Sequence, residues 1–128
     1  MQKLNKEQIT DILYGSAILG TGGGGELTDG FDYMDKALEA GKEFKLVSMD
    51  EVPTGEKLCT PYLLGAISPL STEEEAQYQR LPQSRELAVI TAFNRLKAYT
   101  NDEYYGTICC ELGGSNTAVS FFLAAMMD

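Results

Sequence analysis

Histidine is absent from the chain. With it go any Ser–His or Cys–His dyad and any histidine-ligated metal site within these residues. Cysteine is scarce: Cys59, Cys109 and Cys110 form no CxxC pair and leave an odd number. Neighbouring side chains on a strand face opposite ways, so bridging Cys109 to Cys110 would strain the backbone. Buried free thiols in a reducing cytoplasm are the expectation. Basic residues are few, 10 against 19 acidic for a net charge of −9. That balance argues against a general binder of nucleic-acid phosphates. Residues 1–7 lack the apolar stretch of a signal peptide, and no run approaches the ~20 apolar residues of a membrane span. The expectation is a cytoplasmic protein with neither nucleic-acid nor membrane partners.

What is present amounts to one domain: 128 residues, 44% of them hydrophobic, enough to bury a core. No repeat and no Ser/Pro-rich linker divides residues 1–128. A capping box, Asn5 with Gln8, opens a helix over Lys6 to Leu19, with Gly20 as its stop. Thr28 or Asp29 caps a second helix whose apolar face is Phe31, Met34 and Leu38, ended by Gly41. Strands are expected over Phe44 to Met49 and Leu58 to Leu64, with Pro61 marking an edge or bulge in the second. Ser71 and Thr72 ahead of Glu74 and Glu75 start a short helix. Ser84 caps a longer one with Ala88, Ala92, Leu96 and Tyr99 on one face, beside Val89 and Phe93. An apolar run, Tyr105 to Leu112, reads as a last strand, and Thr117 to Met127 as an apolar helix. Strand–helix–strand order in the second half implies a right-handed parallel crossover. The fold class is α/β: a small mixed or parallel sheet of about three strands, four to five helices, and a ligand site at strand carboxyl ends. The closing helix is apolar nearly all round, so it is buried in this domain or against a partner. Left under-covered, it would drive homo-oligomerisation.

Three stretches could carry chemistry. The first, Gly20-Thr21-Gly22-Gly23-Gly24-Gly25, formally contains GxGxxG. The dinucleotide fingerprint needs a strand before it, whereas a capped helix stands there, and no GK[ST] follows. Neither a nicotinamide site nor a P-loop nucleotide site is expected. Two readings stay open for Gly22, Gly23, Gly24 and Gly25: a ligand-facing loop offering N–H groups to an anion, or a tight structural turn or mobile loop. The second stretch is Glu111-Leu112-Gly113-Gly114-Ser115-Asn116. Glu111 continues an apolar run and should be partly buried, which would raise its pKa and suit it to acid–base work or metal binding. Gly113 and Gly114 would let backbone amides approach a substrate oxygen. Asn116 or Ser115 would touch the ligand or merely cap the helix, with Glu111 then the partner of a lysine or a backbone amide. The third, Gly65 to Pro69, lies beside Glu111 and Gly113 if its strand and the last one are parallel neighbours.

In this order, Gly15-Ser16-Ala17-Ile18-Leu19-Gly20-Thr21-Gly22-Gly23-Gly24-Gly25 and Glu111-Leu112-Gly113-Gly114-Ser115-Asn116 resemble the N-terminal domain of the S-methyl thiohydantoin desulfurase family, which is associated with hydantoinases and oxoprolinases. The resemblance covers essentially the whole chain. It implies the N-terminal part of a longer two-domain protein that hydrolyses a carbon–sulfur bond on a hydantoin-like ring, inactive without the remainder. It makes Glu111 the catalytic base or a ligand, and Gly22 to Gly25, Gly113, Gly114 and Asn116 the substrate- or anion-binding groups. The metal and any other cofactor stay unassigned, since a site built here without histidine would be carboxylate-rich. Two rivals remain: a non-enzymatic module that binds a small ligand, nucleotide or anion through the glycine loop, and a structural or oligomerisation domain.

Overall fold

The structure, a computed structural model, describes residues 1–65, 68–82 and 85–127. Its organising element is the last helix. In chain order the elements are β1 (Gln2–Leu4), α1 (Lys6–Gly20), α2 (Leu27–Glu39), β2 (Phe44–Leu46), a 3₁₀ turn (Met49–Glu51), β3 (Leu58–Cys59), α3 (Thr72–Gln79), α4 (Ala88–Thr100), β4 (Gly106–Thr107) and α5 (Gly114–Met126). Among the described residues, five α-helices and two small sheets make a mixed α/β fold. The strands are divided between an antiparallel pair, β1 with β2, and a parallel pair, β3 with β4. The parallel connection runs through α3 and α4, the crossover that the strand–helix–strand order implies.

Local chemistry explains most boundaries. Asn5 and Gln8 bond reciprocally at the start of α1, and Ser71 and Glu74 do the same at α3. Those bonds to Ser71 hold the Glu74 carboxyl below its usual range. A further capping box, Ser48 with Glu51, closes the 3₁₀ turn and so stops β2 at Leu46, short of the expected Met49. The second helix starts one turn earlier than its side chains signal. Glu26 is the N-cap and makes no side-chain bond, while Thr28 and Asp29 sit within the first turn. Both central strands are shorter than the apolar runs that contain them. Only Leu58–Cys59 and Gly106–Thr107 pair, because Pro61 lacks a ladder donor and the chain bends at Cys110 and Glu111. On α4, Val89 and Phe93 face the core, whereas Ala88, Ala92, Leu96 and Tyr99 are exposed. Ser84, Ala66 and Ile67 lie outside the described residues. All three cysteines are free; Cys59 is buried, Cys109 half-buried and Cys110 exposed, so burial of all three does not hold.

The core forms around α5. Val119, Phe122 and Leu123 are at most 1% exposed, together with Ile9 and Leu13 of α1; each such side chain contributes about 1.5–3 kcal/mol. Tyr33 tilts onto Phe122 at 5.1 Å, and Phe44 meets Phe121 edge-on at 6.2 Å. The apolar helix is therefore covered by this chain's own α1, α2, β2, β4 and α4. Its polar residues Ser115, Asn116, Thr117 and Ser120 are buried with it. Among the described residues no buried side-chain N or O lacks a hydrogen-bond partner, and no helix is long and apolar enough to cross a membrane.

Two glycines separate close packing from mere flexibility. A Cβ on Gly30 of α2 would collide with the carbonyl oxygen of Gly114, whereas one on Gly15 of α1 would meet nothing within 4 Å. Gly30→Ala is expected to destabilise by about 1–3 kcal/mol through overpacking. Gly15→Ala should stabilise by about 0.5–1 kcal/mol through lower unfolded-chain entropy. Urea titrations check both, as opposite shifts in midpoint at unchanged m-value.

Candidate functional site

Helix α1 ends by turning left-handed at Thr21 (φ 49°), and Gly22, Gly24 and Gly25 continue at φ 95°, 72° and 79°. Successive positive φ values are open to glycine and expensive for other residues, which is why the run is glycine-rich. The turn lays the backbone of Gly24 directly on the turn that precedes α5. A Cβ on Gly24 would stand 2.5 Å from both Gly113 Cα and the Leu112 carbonyl oxygen. One on Gly25 would stand 2.6 Å from Ser115 Cβ, and one on Gly20 2.7 Å from the Leu112 oxygen. Across this seam the Gly24 carbonyl accepts the Asn116 amide at 2.9 Å and the Ser115 amide at 3.1 Å. The two motifs at opposite ends of the sequence are thus one structure, built backbone to backbone.

The seam accounts for several amide donors at once. Ser115 and Asn116 N–H groups serve Gly24, Gly23 N–H serves the Gly20 carbonyl at 2.8 Å, and Gly113 N–H reaches the Thr117 hydroxyl at 3.4 Å. Gly113 and Gly114 are buried; Gly22, Gly23 and Gly25 are exposed. Helix α5 starts at Gly114 rather than at Thr117, with Gly113 as a cap that has no side chain to offer. Ser115 and Asn116 consequently fall inside the first turn and neither caps it.

Asn116 has a different task. Buried to 3% exposure, its Oδ1 accepts the Leu63 amide at 2.8 Å, and its Nδ2 donates to the Leu63 carbonyl at 3.4 Å. The side chain imitates a neighbouring strand for the segment that leaves β3. That segment, which leads into Gly65, is thereby held at the head of α5. Asn116 Nδ2 also reaches Glu111 Oε2 at 3.5 Å. Glu111 itself is exposed, not partly buried: the apolar run bends at Cys110, so the strand alternation that would turn Glu111 inward has already ended. Its partner is the Asn116 side-chain amide rather than a lysine or a backbone amide. Cys109 completes the cluster, donating to the Glu111 carbonyl at 3.3 Å, with its sulfur 3.7 Å from the Thr117 hydroxyl. Thr117 and the Leu63 backbone were missed by sequence reasoning, although a polar Asn-Thr pair entering an apolar helix is the signal that marks such a junction.

Glu111 thus faces solvent next to the seam, tethered by the Asn116 Nδ2. Among the described residues no group of three Cys, Asp or Glu side chains stands close enough to hold a metal ion. A family model described as S-Me-THD-like, N-terminal domain matches residues 7–128. No curated protein and no solved structure matches. The chain belongs to the S-Me-THD-like N-terminal domain family.

Within the glycine loop, Gly24→Ala combines left-handed strain with a backbone collision and should cost about 2–5 kcal/mol. Gly22→Ala, with open space around it, should cost only the strain, about 1–2 kcal/mol; denaturant midpoints rank the two. Burial pushes the Cys59 thiol up, so iodoacetamide should label exposed Cys110 in the native protein and Cys59 only on unfolding. Peptide mapping of the alkylated sites at increasing urea reads this order directly.

Proposed function

We propose that the domain forms one wall of a hydrolytic site acting on a sulfur-substituted, hydantoin-type five-membered ring, and that groups outside residues 1–128 complete it. The observation that carries this reading is the convergence of the glycine loop, the Glu111 turn and the segment after β3 on the head of α5. In S-methyl thiohydantoin hydrolysis, water adds to the ring C=N carbon that bears sulfur; the carbon–sulfur bond breaks and the ring carbonyl forms, with one water proton ending on the ring nitrogen and the other leaving on sulfur as methanethiol. Glu111 is the base that takes the proton from water and returns it to the departing sulfur. Charge on the ring falls to amides of the exposed part of the loop, Gly22 and Gly25, because those of Gly23, Gly113, Ser115 and Asn116 have internal partners. Asn116 positions Glu111 through its amide. Three free thiols suit work in a reducing cytoplasm.

A stand-alone anion- or nucleotide-binding module has less support, since the amides at the head of α5 that would serve it are engaged by Gly24. Release of methanethiol from S-methyl thiohydantoin tests the proposal. A longer family protein containing this domain should release it, and Glu111→Gln placed there should slow release by about 10²–10⁴-fold. The 128-residue chain alone should release none. Undiminished turnover by the variant removes Glu111 from the chemistry, and turnover by the chain alone removes the need for outside groups.

A further inference from the structure

Helix α4 has two apolar faces, and the core takes one of them. Val89 and Phe93 are buried, whereas Ala88, Ala92 and Leu96 are exposed. Residues four apart stand above one another on a helix, so these three form a continuous second face. That face fronts a cavity of about 570 Å³, with Tyr62, Leu63 and Leu64 of the stretch after β3 also in its wall. Buried Cys59, Phe93 and Leu123 and half-buried Tyr104 close it on the core side. Clefts that hold small molecules run from about 300 to 1,000 Å³.

The cavity follows the chain from β3 towards the head of α5. At one end Cys59 pairs with Thr107, whose hydroxyl donates to the Ser120 carbonyl. At the other end Leu63 is clamped by Asn116. A single amide nitrogen, Asn116 Nδ2, lies 3.4 Å from the Leu63 carbonyl oxygen and 3.5 Å from Glu111 Oε2. The cavity wall and the carboxylate of the candidate site are therefore neighbours across one side chain. A ring held at Glu111 brings its substituent to the Leu63 end of the cavity.

The lining selects that substituent. None of the described residues that line the cavity is Asp, Glu, Lys or Arg. A carboxylate or an ammonium group entering it would lose its hydration with no opposite charge to replace the water. Two of the polar atoms on the core side are already engaged: the Tyr104 hydroxyl with Thr100 at 3.3 Å, and the Cys59 thiol with the Gly106 carbonyl at 3.8 Å. Most of the remaining wall is hydrocarbon and ring surface. Phe93 and Tyr104 meet edge-on at 5.7 Å, and a further ring beside them gains the offset and edge-to-face contacts that aromatic rings prefer.

We propose that this cavity is the specificity pocket of the domain, and that it receives an uncharged arylalkyl group of benzyl type carried on ring carbon 5 of a hydantoin-type ring. The assignment rests on the hydrolytic reading of the Glu111 site and adds the substrate class to it. Ring carbon 5 and its substituent correspond to the Cα and side chain of an α-amino acid. The substrates are accordingly S-substituted thiohydantoins of aromatic amino acids.

Two measurements test the pocket. A longer family protein containing this domain is assayed for methanethiol release from three S-methyl thiohydantoins that are unsubstituted, benzyl-substituted or 2-carboxyethyl-substituted at ring carbon 5. The benzyl compound should show a kcat/KM about 100-fold above the unsubstituted one, and the carboxyethyl compound no advantage. Ala92→Phe fills the cavity from the exposed side of α4 and should erase the benzyl advantage, as should Ala88→Phe one turn earlier. Separately, 5-benzylhydantoin is titrated into the 128-residue chain while amide chemical shifts are followed. Saturable shifts are expected at Leu63, Ala88 and Ala92, and 5-(2-carboxyethyl)hydantoin should produce none. Methanethiol release with equal kcat/KM for the three compounds, a preference for the carboxyethyl compound, or a benzyl advantage that both variants retain overturns the pocket and leaves the hydrolytic reading standing. Unchanged shifts at those amides up to millimolar 5-benzylhydantoin overturn the pocket as well. Saturable shifts there, with no methanethiol from any of the three compounds, overturn the hydrolytic reading and keep the pocket.

Discussion

The carbonyl of Gly24 accepts two amide hydrogen bonds, from Ser115 and Asn116, and the geometry of the head of α5 follows from where that carbonyl sits. A helix leaves its first amides without internal partners. At the protein surface water serves them, but here the first turn of α5 is buried, and each orphan donor would cost about 1–3 kcal/mol. The usual remedy, a serine or asparagine cap, is excluded because the capping position is Gly113, where a Cβ would stand 2.3 Å from Gly24 Cα in the glycine loop. A distant carbonyl replaces the side-chain cap. It reaches the amides only because Gly24, Gly25, Gly113 and Gly114 carry no side chains between the two backbones.

The same contact limits what the site can do. Free helix amides attract anions, but those of Ser115 and Asn116 are committed, so the head of α5 acts as a joint rather than a receptor. Three loops meet on it: the one after α1 through Gly24, the one before α5 through Gly113, and the one after β3 through the Asn116 side chain. Glu111 stands at the rim of this joint, in solvent, steadied by one amide of Asn116. A rigid backbone seam holding a polar group at its edge is the arrangement that preorganised chemistry requires. It also explains the expenditure of so many glycines in one short run.

Elements governed by local bonds were legible from the residues alone. Asn5 with Gln8 and Ser71 with Glu74 announce α1 and α3, because a capping box is written in adjacent side chains. Gly41, at φ 70°, stands just past α2 as a stop should. The all-round apolar character of the closing helix announced its burial, which this chain supplies itself. What escaped was set by distant partners. Gln2–Leu4 carries no strand signal and becomes β1 by pairing with β2. Helix α5 begins at Gly114, before its apolar pattern does, because its cap comes from across the chain. Exposure of Glu111 depends on a bend at Cys110 that the alternation of Tyr105 to Leu112 conceals. For the glycine loop, composition showed that backbone would approach something closely; only the fold shows that the something is this chain's own Leu112 and Gly113.

The central claim is that the Gly24 carbonyl caps α5 and locks the seam. Native-state amide exchange, followed residue by residue, addresses it most directly. If the seam is intact, Ser115 and Asn116 amides exchange only through global unfolding, as slowly as those in the middle of α5, while the exposed Gly22 amide exchanges near the rate of an unstructured chain. Exchange of Ser115 and Asn116 as fast as that of Gly22 would mean that the helix start is open, and would contradict the account.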